Sequence, residues 1–138
     1  MVSIEWDSNL SVGVELIDEQ HKMLIQRLRE LSEAIEVTQG TSQIMKTLDF
    51  LIDYTDFHFS TEEKHMTELT YPGLGAHREQ HGVFKDSLNR LVEDFEEEGA
   101  TGALAESVNV FLVNWLINHI KGVDKEFGDY LRQKDITL

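Results

Sequence analysis

The sequence predicts an all-α protein, an up-down-up-down four-helix bundle with an extended N-terminal arm, and three observations carry that prediction. Apolar residues recur at steps of three and four through four separate stretches, the period that lines one face of an α-helix. The stretches are parted by Gly40, by Tyr71-Pro72-Gly73-Leu74-Gly75 and by Gly99, residues that stop helices and make short joints. Short joints between helices of about 18 to 30 residues leave antiparallel neighbours as the packing solution. At 138 residues and 41% hydrophobic composition the chain is expected to form one domain over residues 1–138, with the arm at 1–17 and the bundle at 18–133.

In the arm, Trp6, Leu10, Val12 and Val14 are spaced irregularly around Gly13, which predicts an extended segment packed on the body. Asp18 is the expected N-cap of the first helix, whose stripe is His21, Leu24, Leu28, Leu31 and Ile35. The second helix, capped by Thr41 or Ser42, carries Ile44, Leu48, Leu51, Thr55, His58 and Glu62. The third begins with His77 and His81 and continues through Phe84, Leu88, Leu91 and Phe95. The last opens near Thr101, presents Leu104, Val108, Phe111, Trp115 and His119 on one face, and resumes as Asp124, Phe127 and Leu131. His119 and Asp124 are five apart, about 140° round an ideal α-helix, so a π-type bulge near Gly122 is needed to bring both to the centre.

Composition removes several function classes. No cysteine is present, which excludes disulfides, thiolate metal sites, iron–sulfur clusters and cysteine nucleophiles. A formal charge of −14, from 12 basic and 26 acidic residues with no basic cluster, opposes binding to nucleic acid or to an anionic membrane. No apolar run reaches the roughly 18 residues of a membrane span, and Met1–Asp7 lacks the regions of a signal peptide, so a soluble, cytoplasmic protein is expected.

Five histidines, a glutamate and an aspartate occupy stripe positions where the period calls for apolar side chains. A buried carboxylate or imidazole without a partner costs several kcal/mol, and a domain stable by about 5–15 kcal/mol could not carry seven of them uncompensated. Residues four apart share a helix face, so His58/Glu62 and His77/His81 each aim two donors at a common point. Metal coordination satisfies all seven. Five imidazoles and two carboxylates are too many for one ion and suit two, bridged by the carboxylates. Without sulfur ligands the set points to a di-iron or di-zinc centre. With His77, His81 and His119 on one ion, His21 and His58 on the other, and Glu62, Asp124 and one solvent-derived oxo or hydroxo group between them, the ions have six and five ligands, and the second keeps an open position.

His, then His-x-x-x-Glu, then His-x-x-x-His, then His-x-x-x-x-Asp on four successive helices resembles hemerythrin, and Trp6…Val12-Gly13…Ile17-Asp18-Glu19-Gln20-His21 is similar to its bacterial members. The likeness spans essentially the whole chain. It implies two iron ions with an oxo/hydroxo bridge, held by His21, His58, Glu62, His77, His81, His119 and Asp124, and reversible binding of O2 as hydroperoxide at the five-coordinate iron. Such chemistry needs a dry pocket, for which Leu24, Phe59, Trp115, Leu116, Ile120 and Phe127 are the candidate lining. Phe127 stands where many relatives carry tyrosine. The resemblance implies an O2 carrier, store or scavenger, with an O2 or redox sensor domain of a larger receptor as the alternative. A di-iron oxidase or peroxidase is disfavoured because such bundles use mostly carboxylates. The partners expected are O2 and either a redox partner or a parent receptor, on a monomeric chain that is not an enzyme. His65, Glu63 and Glu68 are expected on a solvated face.

Overall fold

In the computed structural model, which describes residues 5–36 and 41–138, the first three helices are α1, Glu15–Glu36, α2, Thr41–Glu68, and α3, Leu74–Glu98. The fourth, α4, runs over residues 102–133. It consists of α-helical pieces Gly102–Ser107, Asn114–His119 and Lys125–Gln133, joined by π-helical stretches Val108–Val113 and Ile120–Asp124, with right-handed helical backbone at every junction. α2 packs on α1 and α3, and α4 closes the bundle against α1 and α3. The described residues contain no strand.

The joints follow local chemistry. Thr101 caps α4, its Oγ1 accepting the Leu104 N–H at 3.1 Å. Gly99, at φ 76°, ends α3 while its N–H donates to Phe95 O. α2 ends with Thr70 at φ 53° and a Tyr71 N–H to Met66 O bond of 2.9 Å. α4 ends the same way, with Asp135 at φ 55° and Ile136 N–H to Leu131 O at 2.9 Å. Both are six-to-one closures whose left-handed position glycine would normally fill, so the sequence carries no glycine signal there.

The stripes of α1, α2 and α3 are buried as the period predicted, and the π stretch over Ile120–Asp124 falls where the five-residue interval demanded one. Three expectations are corrected. Asp18 does not cap α1, which starts at Glu15. Instead Asp18 Oδ1 accepts the Val12 N–H at 2.8 Å and Oδ2 the Ser11 hydroxyl at 2.6 Å, so this carboxylate ties the arm to the helix. The arm is not wholly extended, since Ser8–Leu10 forms a 3-10 turn capped by Asp7. Phe111 is 60% exposed rather than on the inner face. The π stretch Val108–Val113 turns the helix less per residue and presents Leu112 inward in its place. The expected stop at Gly40 and residues Met1–Ile4 of the arm lie outside the described residues.

The arm does pack on the body. Leu10 and Val12 are buried, Arg132 Nη1 donates to Val12 O, and Val12 lies so close to α4 that a Cβ on Gly128 would stand 2.2 Å from its carbonyl oxygen. Only glycine fits that crossing.

Candidate metal centre

One face of each helix contributes to a polar cluster in the bundle core. α1 supplies His21, α2 His58 and Glu62 one turn apart, α3 His77 and His81 one turn apart, and α4 His119 and Asp124 at the two ends of its second π stretch. All seven are buried. They form two overlapping groups: Glu62, His77, His81, His119 and Asp124, and His21, His58, Glu62 and Asp124, with one donor atom from every member of a group within 4.8 Å of the others. Glu62 and Asp124 belong to both. The imidazoles fall as His77, His81 and His119 in one group and His21 and His58 in the other.

Two carboxylates sit between the two sets of rings. Asp124 Oδ1 is 2.7 Å from His77 Nε2 and 3.3 Å from His119 Nε2, while its Oδ2 is 2.9 Å from His21 Nε2. Glu62 Oε1 is 3.3 Å from both His58 Nε2 and His81 Nε2. Most of these atoms are near one another without being hydrogen-bonded. Among the described residues, the buried side-chain N and O atoms lacking any hydrogen-bond partner are Trp6 Nε1, Thr55 Oγ1, and otherwise atoms of this cluster: Nε2 of His21, His58, His81 and His119, Nδ1 of His21, both oxygens of Glu62 and Asp124 Oδ2. An unsatisfied buried polar group costs about 1–3 kcal/mol, so a core holding this many requires another occupant. Lone pairs of nitrogen and oxygen converging on shared points, with no sulfur among them, fit two borderline or hard cations.

Electrostatics favour the coordinating forms of His58, His81, His119 and Asp124, and oppose that of Glu62. Burial lowers the pKa of His58 well below its usual value, helped by His21. Burial likewise takes His81 to about 2, with His119 and His77 adding to it. Burial also lowers His119, against the pull of Asp124. These rings are therefore neutral at pH 7, with lone pairs free for a cation. Glu62 is raised well above the ordinary carboxyl range by burial and by the Asp124 carboxylate. Burial also acts to raise Asp124, but His119 and His21 outweigh it and hold Asp124 well below that range.

Three residues that the sequence reading missed orient the rings. His58 Nδ1 lies 2.7 Å from Gln20 Oε1, His119 Nδ1 2.8 Å from Gln80 Oε1, and His81 Nδ1 2.8 Å from Glu63 Oε2. Each oxygen accepts the Nδ1–H and so fixes the tautomer that leaves Nε2 for the centre. A signal was available: each of the three is the sequence neighbour of a cluster residue, so it points about 100° away from the centre, toward the adjacent helix. Glu63 is thus corrected from solvated face to hydrogen-bond partner. Glu68 is exposed, as expected, and His65 lies partly buried 3.9 Å from it, in neither group.

Of the apolar candidates, Leu24, Phe59, Leu116, Ile120 and Phe127 are buried and Trp115 is partly buried. Phe59 stacks on His81 with ring centroids 3.8 Å apart and planes 4° apart, and Trp115 on His119 at 4.5 Å and 13°. Phe127 approaches His77 at 6.5 Å between centroids.

The family model described as Hemerythrin HHE cation binding domain matches residues 12–131. The chain is 31% identical to a bacteriohemerythrin of Stenotrophomonas maltophilia (strain R551-3) over 132 residues, covering 96% of this chain and 84% of that one. It is 31% identical to the bacteriohemerythrin of Methylococcus capsulatus (strain Bath), covering 95% and 98%. The myohemerythrin of Theromyzon tessulatum is 29% identical, with 89% of each chain covered. The crystal structure of a wild-type hemerythrin superposes with a TM-score of 0.80 at 30% identity, over 93% of this chain and 97% of that one.

Proposed function

This chain belongs to the hemerythrin family, and from that premise we propose that His21, His58, Glu62, His77, His81, His119 and Asp124 hold its di-iron centre in one domain built for reversible O2 binding. The protein binds O2, and a di-iron centre held by these residues would supply the electrons for it. His77, His81 and His119 would hold one iron and His21 and His58 the other, with Glu62 and Asp124 shared. The observation that carries this reading is the set of buried Nε2 and carboxylate oxygen atoms that converge without hydrogen-bond partners.

The remaining work belongs to side chains. Gln20, Glu63 and Gln80 hold three imidazoles in register, so the donor atoms are placed before any ion arrives. Leu24, Phe59, Leu116, Ile120 and Phe127, with Trp115 toward the surface, would keep water from the centre, which lengthens the life of the O2 complex. None of these groups donates a proton. Five imidazoles against two carboxylates place less negative charge on the irons than a mostly carboxylate, oxygen-activating site does, which supports a binding protein rather than an enzyme.

A carrier, store or scavenger is the reading we favour, as a monomer in the cytoplasm. The arm's seat on Gly128, one turn beyond Asp124, supports a second reading as an O2-responsive domain that signals to a receptor. Proteolysis of the arm at equal rates in the O2-free and O2-bound protein would set that second reading aside. The primary reading is tested by iron content. The purified chain should bind two irons, and His119→Ala should lose at least one. Two firmly held irons in that variant would overturn the ligand assignment.

A further inference from the structure

We propose that Glu63 is a positioning residue that adds to the electronic inequality of the two irons, by placing a negative charge behind one imidazole of the centre and none behind the others that are similarly held. The inference rests on the ligand reading above. Three rings have their Nδ1–H accepted by a side-chain oxygen, and the acceptors differ in kind. Gln20 behind His58 and Gln80 behind His119 are neutral amides, whereas Glu63 behind His81 is a carboxylate. The three distances agree to 0.1 Å, from 2.7 to 2.8 Å, so charge rather than geometry separates them.

The carboxylate is held for the task. Its Oε1 accepts from Arg78 Nε at 3.1 Å while its Oε2 faces His81, so one oxygen is anchored by α3 and the other is aimed at the ring. Arg78 is 56% exposed at the mouth of a shallow groove formed by Ser60, Glu63, Lys64, Thr67, Glu68 and Arg78. A bond from an imidazole N–H to a carboxylate is about twice as strong as one to an amide. It pushes electron density toward Nε2 and raises the basicity of the ligand. The effect falls on the set His77, His81 and His119. The other set, with Gln20 behind His58, has no such charge. Glu63 therefore tightens metal binding at one position and favours the higher oxidation state there.

Glu63→Gln tests this, because it keeps the shape and one oxygen to accept the His81 Nδ1–H while it removes the charge, and with the charge the acceptor of the exposed Arg78. Gln80→Glu does the reverse at His119 on the same set. Co2+ binding to the whole chain is read by chelator competition, and the midpoint potential is read on the iron-loaded protein. E63Q should weaken one of two Co2+ equivalents about 10-fold, leave the other unchanged and raise the potential. Q80E should strengthen the same equivalent and lower the potential. Unchanged Co2+ affinity and potential in E63Q would overturn the inference, as would E63Q and Q80E moving in the same direction, the mark of a merely structural role. His81→Ala separates the two levels. Loss of an equivalent there with E63Q unchanged defeats only the role of Glu63, whereas two wild-type equivalents in H81A would defeat the ligand assignment itself.

Discussion

Replacing Gly128 with alanine sets a known gain against a steric cost that the structure defines. In a helix interior, alanine is about 0.5–1 kcal/mol better than glycine. At Gly128, however, the new Cβ would stand 2.2 Å from Val12 O, 3.1 Å from its carbonyl carbon and 3.2 Å from its Cβ. Ordinary contact requires the arm to retreat by about 1 Å. That displacement stretches two bonds to charged groups, Val12 N–H to Asp18 and Arg132 to Val12 O. Overpacking of this kind costs about 1–3 kcal/mol, and each such hydrogen bond contributes about 1.5–3 kcal/mol when whole. The net expectation is a protein about 1–3 kcal/mol less stable. Gly82→Ala is the matched control, because a Cβ there meets nothing within 4 Å and α3 should gain about 0.5–1 kcal/mol. Urea unfolding followed by circular dichroism measures both. A G128A protein as stable as wild type, or stabilised as G82A is, would refute the seat of the arm on α4.

Further outcomes follow from the centre. Glu62→Ala and Asp124→Asn, which alter the two residues common to both groups, should each bind fewer than two irons, and two irons with an unchanged spectrum would remove their shared role. Leu116→Asn places an amide at a buried site and should speed oxidation of the O2 complex by admitting water, whereas an unaltered rate would reduce Leu116 to packing. The metal-free protein should lose stability as the pH falls below about 6.5. His58, His81 and His119 have folded pKa values depressed from 6.5, so below that pH the unfolded chain binds more protons than the folded one. The raised pKa of Glu62 acts in the opposite sense, but as one group against three. A urea midpoint at pH 5 equal to that at pH 7 would contradict this balance.

The bundle was legible because its core stripes alternate cleanly with charged faces, and the seven polar intruders stood out against that period. The His119–Asp124 interval was legible as a π stretch because two residues needed at one point were one step too far apart. The stretch at Val108–Val113 was not, since Val108, Val110, Phe111, Leu112 and Val113 are all apolar and a period cannot say which of them faces inward. Asp18 looked like a helix cap because capping and tying down an arm use the same carboxylate chemistry. Gln20 and Gln80 gain no assignment from the stripes, and Glu63 reads as solvated face, because all three lie off the stripes in sequences rich in acid and amide. Their position beside a cluster residue is a signal in the sequence, but the ring each one holds is defined only when the facing helix is in place.

The most direct measurement is the absorption spectrum of the iron-loaded protein, reduced without air, exposed to O2 and then degassed. A visible band that grows with O2 and fades on its removal, over repeated cycles, is the result expected of a di-iron centre that holds O2 reversibly. One-way conversion to the oxidised spectrum, or no O2-dependent band, would contradict it.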